Sequence, residues 1–133
     1  MAVADLTNND RQRTSTGKET VVIRDKFEEI RGGRTLDVTG YPLDEITAGH
    51  VLIKETATGE FKPFPLNAGG TAYDVLPADH EIAGILISTI RKDKPFAGIL
   101  IRGSVNPNAA PFPMTAILSA VKTALPLITF LAD

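Results

Sequence analysis

The chain has 133 residues, 43% of them hydrophobic, a formal net charge of -2 and no cysteine. This length suits one domain with its own core, and the near-neutral charge excludes a global basic field for holding nucleic acid. The missing cysteines exclude disulfides, thiolate metal sites and cysteine nucleophiles together.

The opening Met1 to Asp10 has neither a basic n-region nor an apolar h-region, so no signal peptide is expected. No apolar run approaches the ~20 residues that a membrane span needs. Met1 to about Thr20 is rich in Thr, Asn, Asp, Ser and Gly without apolar period, which predicts a flexible arm. Thr20-Val21-Val22-Ile23 is a short β-branched run and predicts a strand. Asp25 to Arg34 is dense in alternating charge, reads as a solvated face, and closes on a turn at Gly32-Gly33.

From Thr35 onward the pattern is β. Leu36-Asp37-Val38-Thr39 alternates apolar and polar and stops at Gly40-Tyr41-Pro42. His50 to Thr56 predicts a strand, and Ala57-Thr58-Gly59-Glu60 a hairpin turn with Gly59 free to take a positive φ. Phe61 to Leu66 alternates aromatic, polar and proline residues, which predicts an edge strand, because proline cannot donate to a ladder. Asn67 to Thr71 is a glycine-rich loop.

The pentapeptide Ala-Gly-Ile-Leu-Ile occurs twice, as Ala83–Ile87 and Ala97–Ile101, around a charged turn centred on Arg91 to Lys94. These predict the two long strands of one hairpin. Each is apolar on consecutive positions, so both faces are expected to be covered, by a closed barrel, a sandwich or another subunit. The oligomer interface is accordingly expected at Ile85, Ile87, Phe96, Ile99 and Ile101, with a homotrimer as the assembly. Gly84 and Gly98 mark bulges, bends or close backbone approach. Met114, Ile117, Leu118, Val121 and Leu125 recur at helical spacing between Pro113 and Pro126, predicting one C-terminal amphipathic helix over Met114–Leu125. Leu127 to Leu131 predicts a closing strand.

No catalytic constellation stands out. Phosphate-loop and nucleophile-elbow patterns are absent from the sequence. His50 reads as a surface or strand-end residue. Asp79-His80-Glu81 reads as a turn, because adjacent side chains do not converge and a metal needs three or four ligands. Ser104 has no base near it in sequence, and Asp44 and Glu45 are adjacent and point apart. Six Phe, two Tyr and no Trp leave little for a base-stacking platform. The expectation is therefore a non-enzymatic protein with no cofactor and no metal, and with no nucleic-acid or membrane partner. A sugar site would need exposed aromatics, for which Tyr41, Tyr73 and Phe112 are the candidates.

The segment from about Tyr41 to Val105 resembles the head decoration proteins of tailed phages, the lambda-type family. The resemblance is carried by Ala48 to Phe64 (AGHVLIKETATGEFKPF) and by AGILI followed by AGILIRGSVN at Ala97 to Asn106. The ending Pro107 to Asp133 is similar to proteins called head-fibre proteins in phages of gut Bacteroidales, including crAss-like phages. The helix Met114–Leu125 departs from the lambda-type pattern. The resemblance implies a mainly β fold, a small barrel or β-tulip-like core with one C-terminal helix and an extended N-terminal arm. It implies a structural virion protein, made in the host cytoplasm, that binds the major capsid protein on the capsid exterior as a trimer and stabilises the shell. The chain would divide into residues 1–38, arm and capsid-binding segment, and 39–133, the decoration domain. Thr20, Val21, Val22 and Ile23, with Thr35, Leu36, Asp37 and Val38, are expected to bind the capsid by adding a strand to a sheet edge of the major capsid protein. Two other readings remain open: a head-attached adhesin base that binds a host-surface glycan, and a small β-barrel enzyme resting on Asp79-His80-Glu81.

Overall fold

The computed structural model describes residues 2–4, 6–7 and 18–132. In chain order the elements are α1 (Glu19–Val22), β1 (Ile23–Glu29), β2 (Arg34–Thr35), β3 (Glu45–Ile46), β4 (Val51–Glu55), β5 (Phe61–Pro63), β6 (His80–Leu86), β7 (Ile90–Arg91), β8 (Phe96–Ala97), β9 (Ile99–Val105), a 3-10 turn at Pro107–Ala109, α2 (Leu118–Ala124) and β10 (Ile128–Phe130). The protein is mainly β, with antiparallel sheets and a C-terminal helix, as expected.

The main sheet runs β1-β9-β6-β4-β5, with β10 parallel to β9. β1 flanks β9 on one side from Ile23↔Val105 to Glu29↔Leu100. On the other side β6 pairs with the start of β9, through Ile85↔Leu100 and Leu86↔Ile99, and β10 takes its end, through Ile128↔Gly103 to Phe130↔Val105. The sheet path ends at β1 and at β5, so these strands do not close into a ring. Pro63 sits on β5, at the outer edge where its missing N–H costs nothing. Gly59 takes a φ of 75° in the turn before it.

The consecutive apolar residues of the central strands have a simple cause. Successive side chains on a strand point to opposite faces, and each face has its own core. Val51, Ile53, Ile85 and Leu100 enter one cluster, with Val22, Phe64, Val105, Val121, Leu125 and Ile128. Leu52, Leu86 and Ile99 enter the other, with Leu36, Tyr41, Ile46 and Ala97. The first face is covered by α2 and β10. The second is covered by the chain between β1 and β4 and by residues 88–97, which leave the main sheet, pair β7 with β3 and β8 with β2, and return. The two Ala-Gly-Ile-Leu-Ile segments are therefore paired, but through an excursion rather than a plain hairpin turn.

Gly84 stands opposite Leu52, where the register shifts and leaves Ala83 as an extra residue on β6. A Cβ on Gly84 would lie 2.9 Å from Leu100 O and would also overlap the Ile99 side chain, so glycine is required by close approach. Gly98 is different: a Cβ there meets nothing nearer than 3.6 Å.

α2 is shorter than the helical spacing predicts. Residues 114–117 form a turn, closed by Ile117 N–H to Met114 O, and the regular helix begins only at Leu118. No side chain caps that start. Met114, Val121 and Leu125 nonetheless reach the core.

The division at residue 38 has no counterpart in the packing. β1 is an integral strand of the main sheet, and Val22 and Leu36 are core residues. Most of the flexible arm expected over residues 1–20 lies outside the described residues. Within the described part, the Ala2 N–H donates to Glu60 Oε1 at 3.0 Å.

Candidate docking face

The expected capsid-binding residues are scattered by the fold. Thr20 and Val21 on α1 are exposed, but Val22 is buried under Gly49, and Ile23 pairs with Val105. Thr35 pairs with Phe96 inside the small β2–β8 ribbon. Leu36 is fully buried, Val38 is half-buried, and Asp37 is buried with Oδ1 accepting from the Thr39 N–H and hydroxyl at 3.1 and 2.7 Å. This corrects the expectation of a detachable strand: Val22, Leu36 and Asp37 cannot pair with a partner sheet while holding these places. The strand-forming residues are also displaced. Thr20 to Val22 form a helical turn, and the strand proper is the charged run Ile23–Glu29.

The expected oligomer interface is corrected in the same way. Ile85 and Ile99 are fully buried and Ile87 nearly so, each within this chain's own clusters. Ile101 is half-buried. Of the five, only Phe96 stands out in solvent, at 50% exposure.

The corner formed by β1, β9 and β10 presents a different surface. Asp25, Ser104 and Thr129 lie side by side across the three strands. Ile128 and Phe130 turn inward to the core, and the alternating residues Leu127, Thr129 and Leu131 therefore turn outward. On β1 the register against β9 shifts three times, after Ile23, after Lys26 and after Glu28. Such bulges break the in–out alternation and re-aim side chains, and all six residues from Arg24 to Glu29 are exposed. The result is an open groove of about 880 Å³ with Gly103 and Ser104 in its lining, Val21, Arg24 and Phe27 on one side, and Thr129 and Leu131 on the other. A Cβ on Gly103 would overlap the Asp25 carbonyl, so no side chain can stand there. Phe27 is 66% exposed, Val21 50% and Leu131 48%. Val21, Phe27 and Leu131 thus stand exposed along an open groove that polar Thr20, Asp25, Asn106 and Thr129 also line.

The two histidines have opposite surroundings. His80 lies at the sheet margin, with Nδ1 2.8 Å from Ala78 O and Nε2 3.2 Å from Lys62 Nζ. Glu81 turns instead to Lys54, 3.0 Å away, and Asp79 sits in a turn at φ 60°. The three side chains of Asp79-His80-Glu81 thus diverge. Among the described residues no group of three or more His, Asp or Glu could hold a metal ion.

His50, expected at the surface, is at a strand end but fully buried. Its Nε2 lies 3.0 Å from Phe64 O. Tyr41, Tyr73 and Phe112 contact it edge-to-face, with ring centroids 5.7, 5.1 and 5.7 Å away. Burial lowers the imidazole to about 4, raises the Tyr41 hydroxyl to about 12 and raises Tyr73 further. The three aromatics expected at a sugar site are thus gathered at one place, as an internal cluster around a histidine. The sequence signal for this burial was the small and apolar setting of His50, between Ala48-Gly49 and Val51-Leu52-Ile53. The exposed Phe27 had no such signal, because it sits in a run of charges.

Compared with protein families, with curated proteins and with solved structures, the chain matches none.

Proposed function

We propose that this protein is a structural component of a tailed-phage virion, which binds the outer surface of the capsid as a decoration or head-fibre protein and stabilises the shell. The observation that carries the reading is the open groove at the β1–β9–β10 corner, where Val21, Phe27 and Leu131 stand exposed beside polar residues, together with the sequence resemblance to head decoration proteins. In this reading Phe27, Val21 and Leu131 are the anchors buried against the major capsid protein, with Arg24 and Thr129 in the polar rim. Buried aromatic anchors inside a polar rim are where protein interfaces concentrate their affinity. β1, with one partner strand among the described residues, adds main-chain donors and acceptors along its outer edge. Its bulges and charges hinder self-pairing, as edge strands require.

The partner is the major capsid protein and the location is the capsid exterior. A homotrimer would use exposed residues such as Phe96, since Ile85 and Ile99 are occupied within the chain. The three candidates for a glycan site, Tyr41, Tyr73 and Phe112, are instead packed edge-to-face around His50.

Co-sedimentation with capsids of the cognate phage tests the proposal. Wild-type protein should pellet with shells, and Phe27→Asp combined with Leu131→Asp should remain in the supernatant with an unchanged circular dichroism spectrum. A folded double variant that still pellets like wild type overturns this docking face. A wild-type protein that never pellets overturns the capsid reading.

A further inference from the structure

We propose that His50 is an acid-sensitive latch: its ring joins chain segments distant in sequence, a second proton cannot be accommodated where the ring sits, and acid therefore releases the segments it joins. This inference concerns the fold itself and is independent of capsid binding.

The geometry sets the tautomer. Phe64 O, 3.0 Å from Nε2, can only accept, so Nε2 carries the proton and Nδ1 presents a bare lone pair. Nδ1 is buried and has no hydrogen-bond partner. The ring's neighbours come from four places: Tyr41 from the turn before β3, Phe64 from the end of β5, Tyr73 from the loop before β6, and Phe112 from the segment before α2. Tyr73 also accepts from the Val51 N–H at 3.1 Å, and the His50 carbonyl accepts from the Leu86 N–H at 3.0 Å, so the ring stands where sheet, loops and C-terminal segment meet.

Protonation at Nδ1 would place an N–H and a positive charge in this enclosure. The titratable side chains whose rings pack on the imidazole are Tyr41 and Tyr73, and burial holds both hydroxyls protonated and uncharged. Just after β7, the Lys92 ammonium donates to Tyr41 O, so the charge this element brings toward Tyr41 is positive as well. Asp37, Lys62 and His80 stand around a surface pocket that Tyr41 also lines. A buried charge without a partner is among the most costly arrangements in a protein interior.

The direction in pH follows. The folded imidazole titrates at about 4 and the unfolded one at 6.5. Above 6.5 both states bind no extra proton and the full stability is present. As pH falls below 6.5 the unfolded state takes up the proton first, and stability is lost progressively down to about 4. At pH 5 this gap lowers the folding equilibrium constant about 30-fold.

Denaturant unfolding of the full chain at pH 7.5 and pH 5 tests the latch, with His50→Gln as the non-titrating comparison whose amide N–H can still reach Phe64 O. The wild-type folding constant should fall about 30-fold more than that of the variant. An equal fall in both overturns the proposal. If His50→Gln does not fold, nitrogen NMR of the wild-type ring decides. A ring that keeps its Nε2–H tautomer and stays neutral until the domain unfolds supports the latch. A ring that takes its second proton with the fold intact overturns it.

Discussion

Val22 closes over Gly49 so tightly that a Cβ on that glycine would overlap the Val22 side chain, with Pro111 Cδ 3.3 Å away on the same flank. A residue from the N-terminal region, a turn before β4 and the segment before α2 thus meet at one point. Val22, just before β1, is part of the domain's interior.

Deleting residues 1–38 should therefore unfold the domain rather than release a stable core. The deletion removes the partner of β9 on one side and two fully buried side chains, Val22 and Leu36. Circular dichroism of the truncated protein is expected to lose its strand signal and its cooperative melt. The milder Leu36→Ala should cost about 2–5 kcal/mol in denaturant unfolding, the usual range for a buried leucine. A truncated protein that melts cooperatively would show that the segment only docks on a finished fold.

Gly84 and Gly98 occupy matching places in the repeated pentapeptide and should respond differently. Gly84→Ala forces a methyl against Leu100 O and Ile99 and is expected to destabilise by about 1–3 kcal/mol. Gly98→Ala meets only ordinary contact distances and should change stability by less than about 0.5 kcal/mol. Paired denaturation curves check both, and equal effects would contradict the close approach of β9 to Gly84.

The histidines separate just as clearly. His80→Ala removes a marginal contact with Lys62 and should stay within about 0.5 kcal/mol of wild type. His50→Ala opens a cavity between three aromatic rings and strips the Phe64 carbonyl of its partner, with an expected loss on the order of 3 kcal/mol. Thermal melts at pH 7.5 are sufficient to distinguish them.

Ile99→Ala tests where the apolar hairpin faces go. Ile99 belongs to the second cluster, beside Leu86 and Leu36. The substitution should lower the denaturation midpoint and leave the molar mass in light scattering unchanged. A change of mass at constant midpoint would return this residue to an interface between copies.

Much of the local structure was legible in the residues. Gly59 in its turn, Pro63 on an edge strand, Ile128 to Phe130 as a closing strand and the overall β character all follow from rules that act over a few neighbours: positive φ at glycine, the donor missing from proline, and β-branched runs. Ile85-Leu86-Ile87 and Ile99-Leu100-Ile101 announced by themselves that both faces of their strands are buried. What buries them was a matter for the tertiary structure. The cover comes from Leu36, Tyr41 and Ile46 on one face and from Val121, Leu125 and Ile128 on the other, residues dozens of positions away, and no periodicity within a strand records which distant segment will pack on it. The same holds for His50, whose burial depends on Tyr41, Tyr73 and Phe112 converging from three separate turns. It holds too for Phe27, which bulges in β1 leave in solvent beside Leu131 from the far end of the chain.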